Sequence, residues 1–239
     1  MLRTILAAST MTTLGALPPF LLTAQVVYVS DDLDFGAAQL GLAASLFFGA
    51  AALASFGAGL LAERLGSRVS TVVAATMSVI SCFGIGTLAR TYVQLLCFIV
   101  VAGFANAAMQ TTANLTLARA VPAGQQGLAF GLKQSAIPVA ILIGGLAVPT
   151  LGGLLGWRAT FIVAGVAAVA VGLAGVVRSP VKGRPVRHND EALDRPPTHA
   201  LVVTAVAMAL ASAAVNAMGA FLPAWPSRAD CTPARRATY

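Results

Sequence analysis

Seven stretches without a single charged residue divide this chain of 239 residues: 4–30, 35–62, 69–89, 91–118, 134–157, 159–177 and 200–227. Each reaches the roughly 17 to 25 residues that a helix needs to cross a bilayer core. A helix in a soluble bundle turns one face to water, so a polar stripe at the helical period interrupts its apolar residues. No charged stripe divides these runs, and Asp, Glu, Lys and Arg together make up only 10% of the chain, against about 25% in soluble domains. The fold class that follows is all-α: a polytopic membrane helical bundle in contact with the lipid bilayer. A cleaved signal peptide is a poor account of residues 1–30, although Arg3 precedes an apolar stretch, because more apolar runs follow rather than a soluble domain.

The formal net charge is +7, which on its own suits a nucleic-acid partner, but the distribution of the charges excludes one. Lys and Arg gather in alternate connections: Arg64 and Arg68, then Arg119 and Lys133, then Arg178, Lys182, Arg184, Arg187 and Arg195. The connections between these hold Asp31, Asp32 and Asp34, a lone Arg90 and a lone Arg158. Cytoplasmic loops carry the excess of basic residues. The N-terminus is therefore expected in the cytoplasm of a bacterial-type plasma membrane, with six helices returning the chain to that side.

The expected organisation is six spanning helices over 1–178, a cytoplasmic linker over 179–199, a seventh helix over 200–222 and an irregular tail over 223–239. Helix 1 covers about 4–30 with a kink at Pro18-Pro19, tolerated where neighbouring helices satisfy freed backbone groups. Residues 125–132 read as an interfacial start to helix 5, after a turn at Pro122 and Gly124. The linker "SPVKGRPVRHNDEALDRPPTH" is rich in proline and mixed charge.

Chemistry-bearing residues are few. Cys82, Cys97 and Cys231 show no pairing or metal spacing, and His188 and His199 fall in the hydrophilic linker. No His, Asp or Glu lies within an expected span, so an intramembrane enzyme lacks both a general base and metal ligands; no metal and no cofactor are expected. Small residues at Gly57 and Gly59, Gly144 and Gly145, and Gly152 and Gly153 allow close helix approach. On helix 4, Asn106, Gln110 and Asn114 recur every four residues and share one face. Three amides on one face of a membrane helix serve either as interhelical hydrogen-bond glue or as the lining of a watery cavity. Gln25 is grouped with them as a candidate cavity residue. Lys133 and Gln134, at the expected helix 5 entrance, are read in two ways. The lysine either snorkels to headgroups or attracts an anionic substrate beside the amide face.

The stretch "GAGLLAERLGSR" resembles the loop between helices 2 and 3 of the major facilitator superfamily. Gly59, Leu61, Ala62, Arg64, Gly66 and Arg68 match its motif, Glu63 stands for the usual Asp, and Ser67 replaces the first usual base. "FGLKQSAIP" at 130–138 and "GWRATF" at 156–161 look like the start of helix 5 and the entry to helix 6 in bacterial members. The resemblance implies that residues 4–199 are one six-helix half, built of two inverted three-helix repeats, with substrate bound near the midplane between two such halves. It also implies a cytoplasmic gate motif of Gly59, Leu61, Glu63, Arg64, Gly66 and Arg68. There Gly59 permits close helix contact, Gly66 permits the tight turn, and the charges engage helix 11 of the other half. Two family features are absent. The arginine four residues before a helix 4 glycine is Ile99 here, and the antiporter spacing of Gly-Pro and paired glycines is not met.

"GAFLPAW" at 219–225 echoes "GALPPFL" at 15–21, as the start of a second half would, and the tail beyond it reads as truncated or out-of-frame sequence. The function expected is secondary-active transport of a small polar or anionic solute by alternating access. It would be incomplete in this chain, with a missing C-terminal half or a second copy as partner. The alternative is a non-transporting assembly or regulatory subunit that keeps the half-fold.

Overall fold

The structure, a computed structural model, describes residues 1–177 and 198–221. The expected tail and all but the last residues of the linker lie outside the described residues. Those described form helices and no strand: α1 Leu2–Ala24, α2 Val26–Leu33, α3 Ala37–Phe83, α4 Tyr92–Ala120, α5 Ala123–Gln134, α6 Ala136–Ala147, α7 Gly153–Leu155, α8 Trp157–Val177 and α9 Thr198–Phe221. Single π-helical turns at Gly84–Leu88 and Val148–Gly152 extend α3 and α6. Six stretches are long and apolar enough to cross a membrane: Leu2–Ala24, Ala37–Ala62, Gly66–Leu88, Tyr92–Ala120, Ala123–Leu155 and Trp157–Val176. They are the first to sixth spans below. α9 belongs to a separate unit and is described only as a helix.

Two boundaries differ from the sequence reading. The first run does not bend out of helix at Pro18-Pro19, which leave the Leu14 and Gly15 carbonyls without their usual donors but stay inside α1. The interruption comes at Gln25, with φ −104° and ψ 19°, and α2 then carries the chain to the aspartates. The fifth span starts at Ala123, about ten residues before its charge-free run, so Lys133 lies inside it rather than at an entrance.

The charged island between the second and third spans is a turn on one residue. Gly66 takes φ 77° and ψ 163° inside an otherwise continuous α3. Gly156, between the fifth and sixth spans, takes φ 83° and ψ 156°. That backbone region is essentially open to glycine alone. The surrounding residues repeat as well: Leu65-Gly66-Ser67-Arg68 and Leu155-Gly156-Trp157-Arg158. The same pattern with the same turn, joining the second helix to the third in each set of three, marks a duplicated three-helix unit. Three helices are an odd number, so the second copy runs through the membrane inverted and the two turns lie at opposite ends.

Packing inside the unit depends on small residues, as expected in lipid, at some of the positions singled out from sequence, Gly144 and Gly152, and at others. Gly103 of α4 sits against the Phe47 carbonyl, and a Cβ there would stand 2.9 Å from that of Ala50. Gly144 touches the Phe20 carbonyl of α1, whereas a Cβ on Gly57, Gly59 or Gly145 would meet nothing within 4 Å. The buried core runs along α1, α4 and the second, third and sixth spans, through Leu21, Phe47, Ile85, Ile99, Met109 and Phe161.

Candidate substrate site and gate

The α4 to α5 connection sets the geometry of the site. Gln126 Nε2 donates to the carbonyls of Ala118 and Val121, each at 3.2 Å, satisfying end groups that α4 would otherwise leave open. The chain reverses there, so positions equally far from the turn lie side by side. Gln110 is ten residues before Ala120 and Lys133 ten residues after Ala123, each about 15 Å along its helix. Both positions lie well inside their spans, which at 29 and 33 residues are longer than a hydrocarbon core of about 30 Å requires. Lys133 Nζ donates to Gln110 Oε1, and the residue is only 4% exposed.

Lys133 is thus no snorkelling surface lysine; it is a buried cation whose partner is neutral. The six spans contain no Asp or Glu, and an unpaired buried charge is costly. Around it α1 meets the fifth span through hydroxyls, Ser9 Oγ donating to Leu132 O at 3.4 Å and Thr13 Oγ1 to Ala136 O at 3.3 Å. Asn106 Oδ1, Thr12 Oγ1 and Thr112 Oγ1 are buried on α1 and α4 without hydrogen-bond partners. Buried polar atoms of this kind are rare in proteins and call for an explanation.

The expected cavity residues therefore divide. Gln110 and Lys133 are joined by their hydrogen bond, and Asn106, one turn away on the same face of α4, lies against Gly15 of α1. Asn114, one turn further along the α4 stripe, is exposed, and so is Gln134, which as the neighbour of Lys133 points elsewhere. Gln25 does not join them. It is fully buried at the α1 to α2 break, where its Nε2 donates to Thr160 Oγ1 at 2.7 Å. From Thr13 it is twelve residues, about 18 Å, along α1. Its Oε1 lies 2.9 Å from where a Gly152 Cβ would stand, so Gln25 is a packing residue that ties the first span to the sixth.

In the gate stretch Gly66 makes the tight turn foreseen for it. The contact expected at Gly59 is not made within this chain, since its Cβ direction is open. Leu61, Arg64 and Arg68 are exposed, and the Glu63 side chain lies outside what the structure describes. Among the described residues Arg64 and Arg68 make no ion pair. Ser67 and Thr116 instead share a hydroxyl hydrogen bond of 2.9 Å, joining the third span to the fourth.

The ion pair that is present sits at the opposite end, and the sequence reading missed it. Arg158 Nη2 donates to Asp32 Oδ2 at 2.7 Å and Nη1 to Ala89 O at 2.7 Å. The Trp157 indole donates to the same Asp32 oxygen at 3.2 Å, and the guanidinium stacks 4.4 Å from that ring. Three connections are held together at one end of the bundle. The repeated Leu-Gly-x-Arg was the available signal, because it gives Arg158 the place in the second repeat that Arg68 holds in the first.

The comparisons fit this geometry. A relative, the hexuronate transporter of Bacillus subtilis (strain 168), is 29% identical over 136 residues, which cover 56% of this chain and 32% of that protein. Among solved structures, a bacterial homolog of the human lysosomal transporter Spinster, inward-facing and unoccupied, superposes with a TM-score of 0.67 at 21% identity, over 81% of this chain and 46% of that one. The proton:xylose symporter XylE bound to 6-bromo-6-deoxy-D-glucose gives 0.62 at 16% identity, over 74% and 44%. The chain thus spans about a third of the curated relative and under half of each solved transporter. The Major Facilitator Superfamily family model matches residues 2–234, and the chain, an integral membrane protein, belongs to that family.

Proposed function

We propose that this chain supplies one half of a secondary-active transporter for a small organic anion, with Lys133 as the charge that receives it. The observation that carries this reading is a 4% exposed lysine inside the fifth span whose partner is the Gln110 amide. No carboxylate in any span offsets it. A carboxylate-bearing solute would supply the missing charge, and the Asn106 and Gln110 amides would donate hydrogen bonds to it. The hexuronate transporter, by its name, handles a sugar acid, which is of this chemical class.

Alternating access takes two six-helix halves around a midplane site, and the described unit offers one. The partner is a second half, either another copy of this chain or a separate C-terminal half. Its docking face includes the gate stretch from Gly59 to Arg68. The alternation of Asp31, Asp32 and Asp34 with Arg64, Arg68 and Arg119 favours a cytoplasmic N-terminus in a bacterial plasma membrane.

The test is ligand-dependent thermal stabilisation of the purified chain with glucuronate against glucose, followed by uptake into vesicles that hold the chain. Stabilisation by the acid alone, lost in Lys133→Gln, is the expected result. Equal effects of acid and neutral sugar would refute the role of Lys133. Binding without uptake, in vesicles where a second half is also present, would favour a non-transporting subunit.

A further inference from the structure

At the arginine end of the six-span unit, the starts of the first and third spans and the ends of the fourth and sixth enclose a cavity of about 560 Å³. Leu6, Met11, Val171 and Ala174 make most of its wall apolar, and Arg3 and Arg68 line it as well. Four of the hydroxyls in the wall are already engaged, that of Thr10 by the Leu6 carbonyl. Thr71 Oγ1 donates to Ser67 O at 2.7 Å, Thr116 Oγ1 donates to Thr112 O at 2.7 Å, and Ser67 and Thr116 bond to each other. The arginines are not: neither makes an ion pair or a side-chain hydrogen bond among the described residues, and no Asp or Glu lines the cavity.

The internal repeat shows what is lacking. Arg158, the counterpart of Arg68, is held by the Asp32 carboxylate at the end of the first-span segment and by the Ala89 carbonyl after the third span. Inversion carries the first-span end onto the end of the fourth span. There the chain reads "ARAVPAGQQ" from Ala118 to Gln126, without an acid. The arginine is repeated and its anion is not.

We infer that this cavity binds the phosphate of an anionic phospholipid from the leaflet at that end, in the place the Asp32 carboxylate fills at the other. Two features select a lipid over a free oxyanion. The wall is mostly apolar, matching a glycerol backbone and the tops of acyl chains. Both arginines also stand within three residues of a span's start, Leu2 or Gly66, which is the depth of headgroups. Basic pockets between span ends are suited to acidic headgroups. This site is separate from the Lys133 site and does not depend on what that site carries.

The experiment is native mass spectrometry of the delipidated full chain in detergent, titrated with phosphatidylglycerol, phosphatidylcholine or inorganic phosphate. Phosphatidylglycerol should be retained preferentially. Arg3→Ala should cost about fivefold in its affinity and Arg3→Ala with Arg68→Ala about twenty-fivefold, taking each basic group as worth about fivefold. Arg64→Ala, which removes an exposed arginine outside the cavity, should leave binding unchanged. Because Arg3 is at the start of the first helix, its single variant keeps the test independent of any folding defect in the double variant. The proposal is overturned by equal retention of the two lipids, by an equal loss in Arg64→Ala, or by inorganic phosphate displacing the lipid completely.

Discussion

Replacing Lys133 by methionine tests whether the protein tolerates a buried cation for the sake of function. The side chain becomes one heavy atom shorter and loses its charge. Removing an ammonium buried against a neutral amide relieves a desolvation penalty of several kcal/mol, and substituting apolar groups of similar volume for buried charges often stabilises by about 1 to 4 kcal/mol. The single variant also strands Gln110, whose Oε1 accepts from Lys133, at a cost of about 1 to 3 kcal/mol. The two effects nearly cancel, so Lys133→Met alone should unfold close to the wild-type temperature. Adding Gln110→Leu removes the stranded amide. The double variant should gain about 1 to 3 kcal/mol, roughly 3 to 10 °C for a chain of this size, and should no longer respond to glucuronate. The assay is thermal unfolding in detergent of wild type, both single variants and the double. A double variant less stable than wild type would show that the pair holds the helices together, and the anion-receiving role would fall with it.

Other expectations follow from particular contacts. Gly66→Ala and Gly156→Ala should each lose about 1 to 3 kcal/mol of stability, since both force a side chain into a glycine-only region; a clear difference between them would undermine the repeat equivalence. Gly103→Leu drives a side chain into the Phe47 carbonyl and Ala50 and should cost at least about 1 to 3 kcal/mol, read as loss of monodisperse protein on gel filtration. Asp32→Asn weakens a pair whose side chains are 25% and 46% exposed, so it should cost below about 1 kcal/mol, less still at high salt, and a larger, salt-independent loss would contradict that view. Gln25→Leu leaves Thr160 Oγ1 its bond to the Trp157 carbonyl and removes an unpartnered oxygen. It should sit within about 1 kcal/mol of wild type with glucuronate binding unchanged, and lost binding would return Gln25 to the substrate site.

The spans were legible because hydrocarbon thickness and charge act on each helix separately, and a charge-free run records both. Gly66 was legible because its turn is local. What hydropathy does not carry is which neighbour a side chain meets. Gly57, Gly59 and Gly145 look like packing glycines and pack against nothing here, while Gly103 carries the close approach of α4 to the second span. Lys133 was misplaced because a lysine ends a charge-free run by definition. Only the α4 to α5 turn, with Gln126 closing the end of α4, shows that the lysine stands level with Gln110. Gln25 lies in an apolar run as the other amides do, and only its bond to Thr160 at the break after α1 separates it from them.

The interruption of the fifth span has a mechanical consequence. Pro138 offers no donor to the Gln134 carbonyl, and α5 gives way to α6 at Ser135, two residues beyond Lys133. A pivot at Ser135 leaves α5 as a lever of twelve residues, about 18 Å long, with the ammonium-bearing residue almost at the fulcrum. A tilt of about 10° would swing the Ala123 end by about 3 Å and move the Lys133 backbone by only about 0.5 Å, on a rise of about 1.5 Å per residue. Such a tilt would displace the far end of this helix while the charge at its base kept its address.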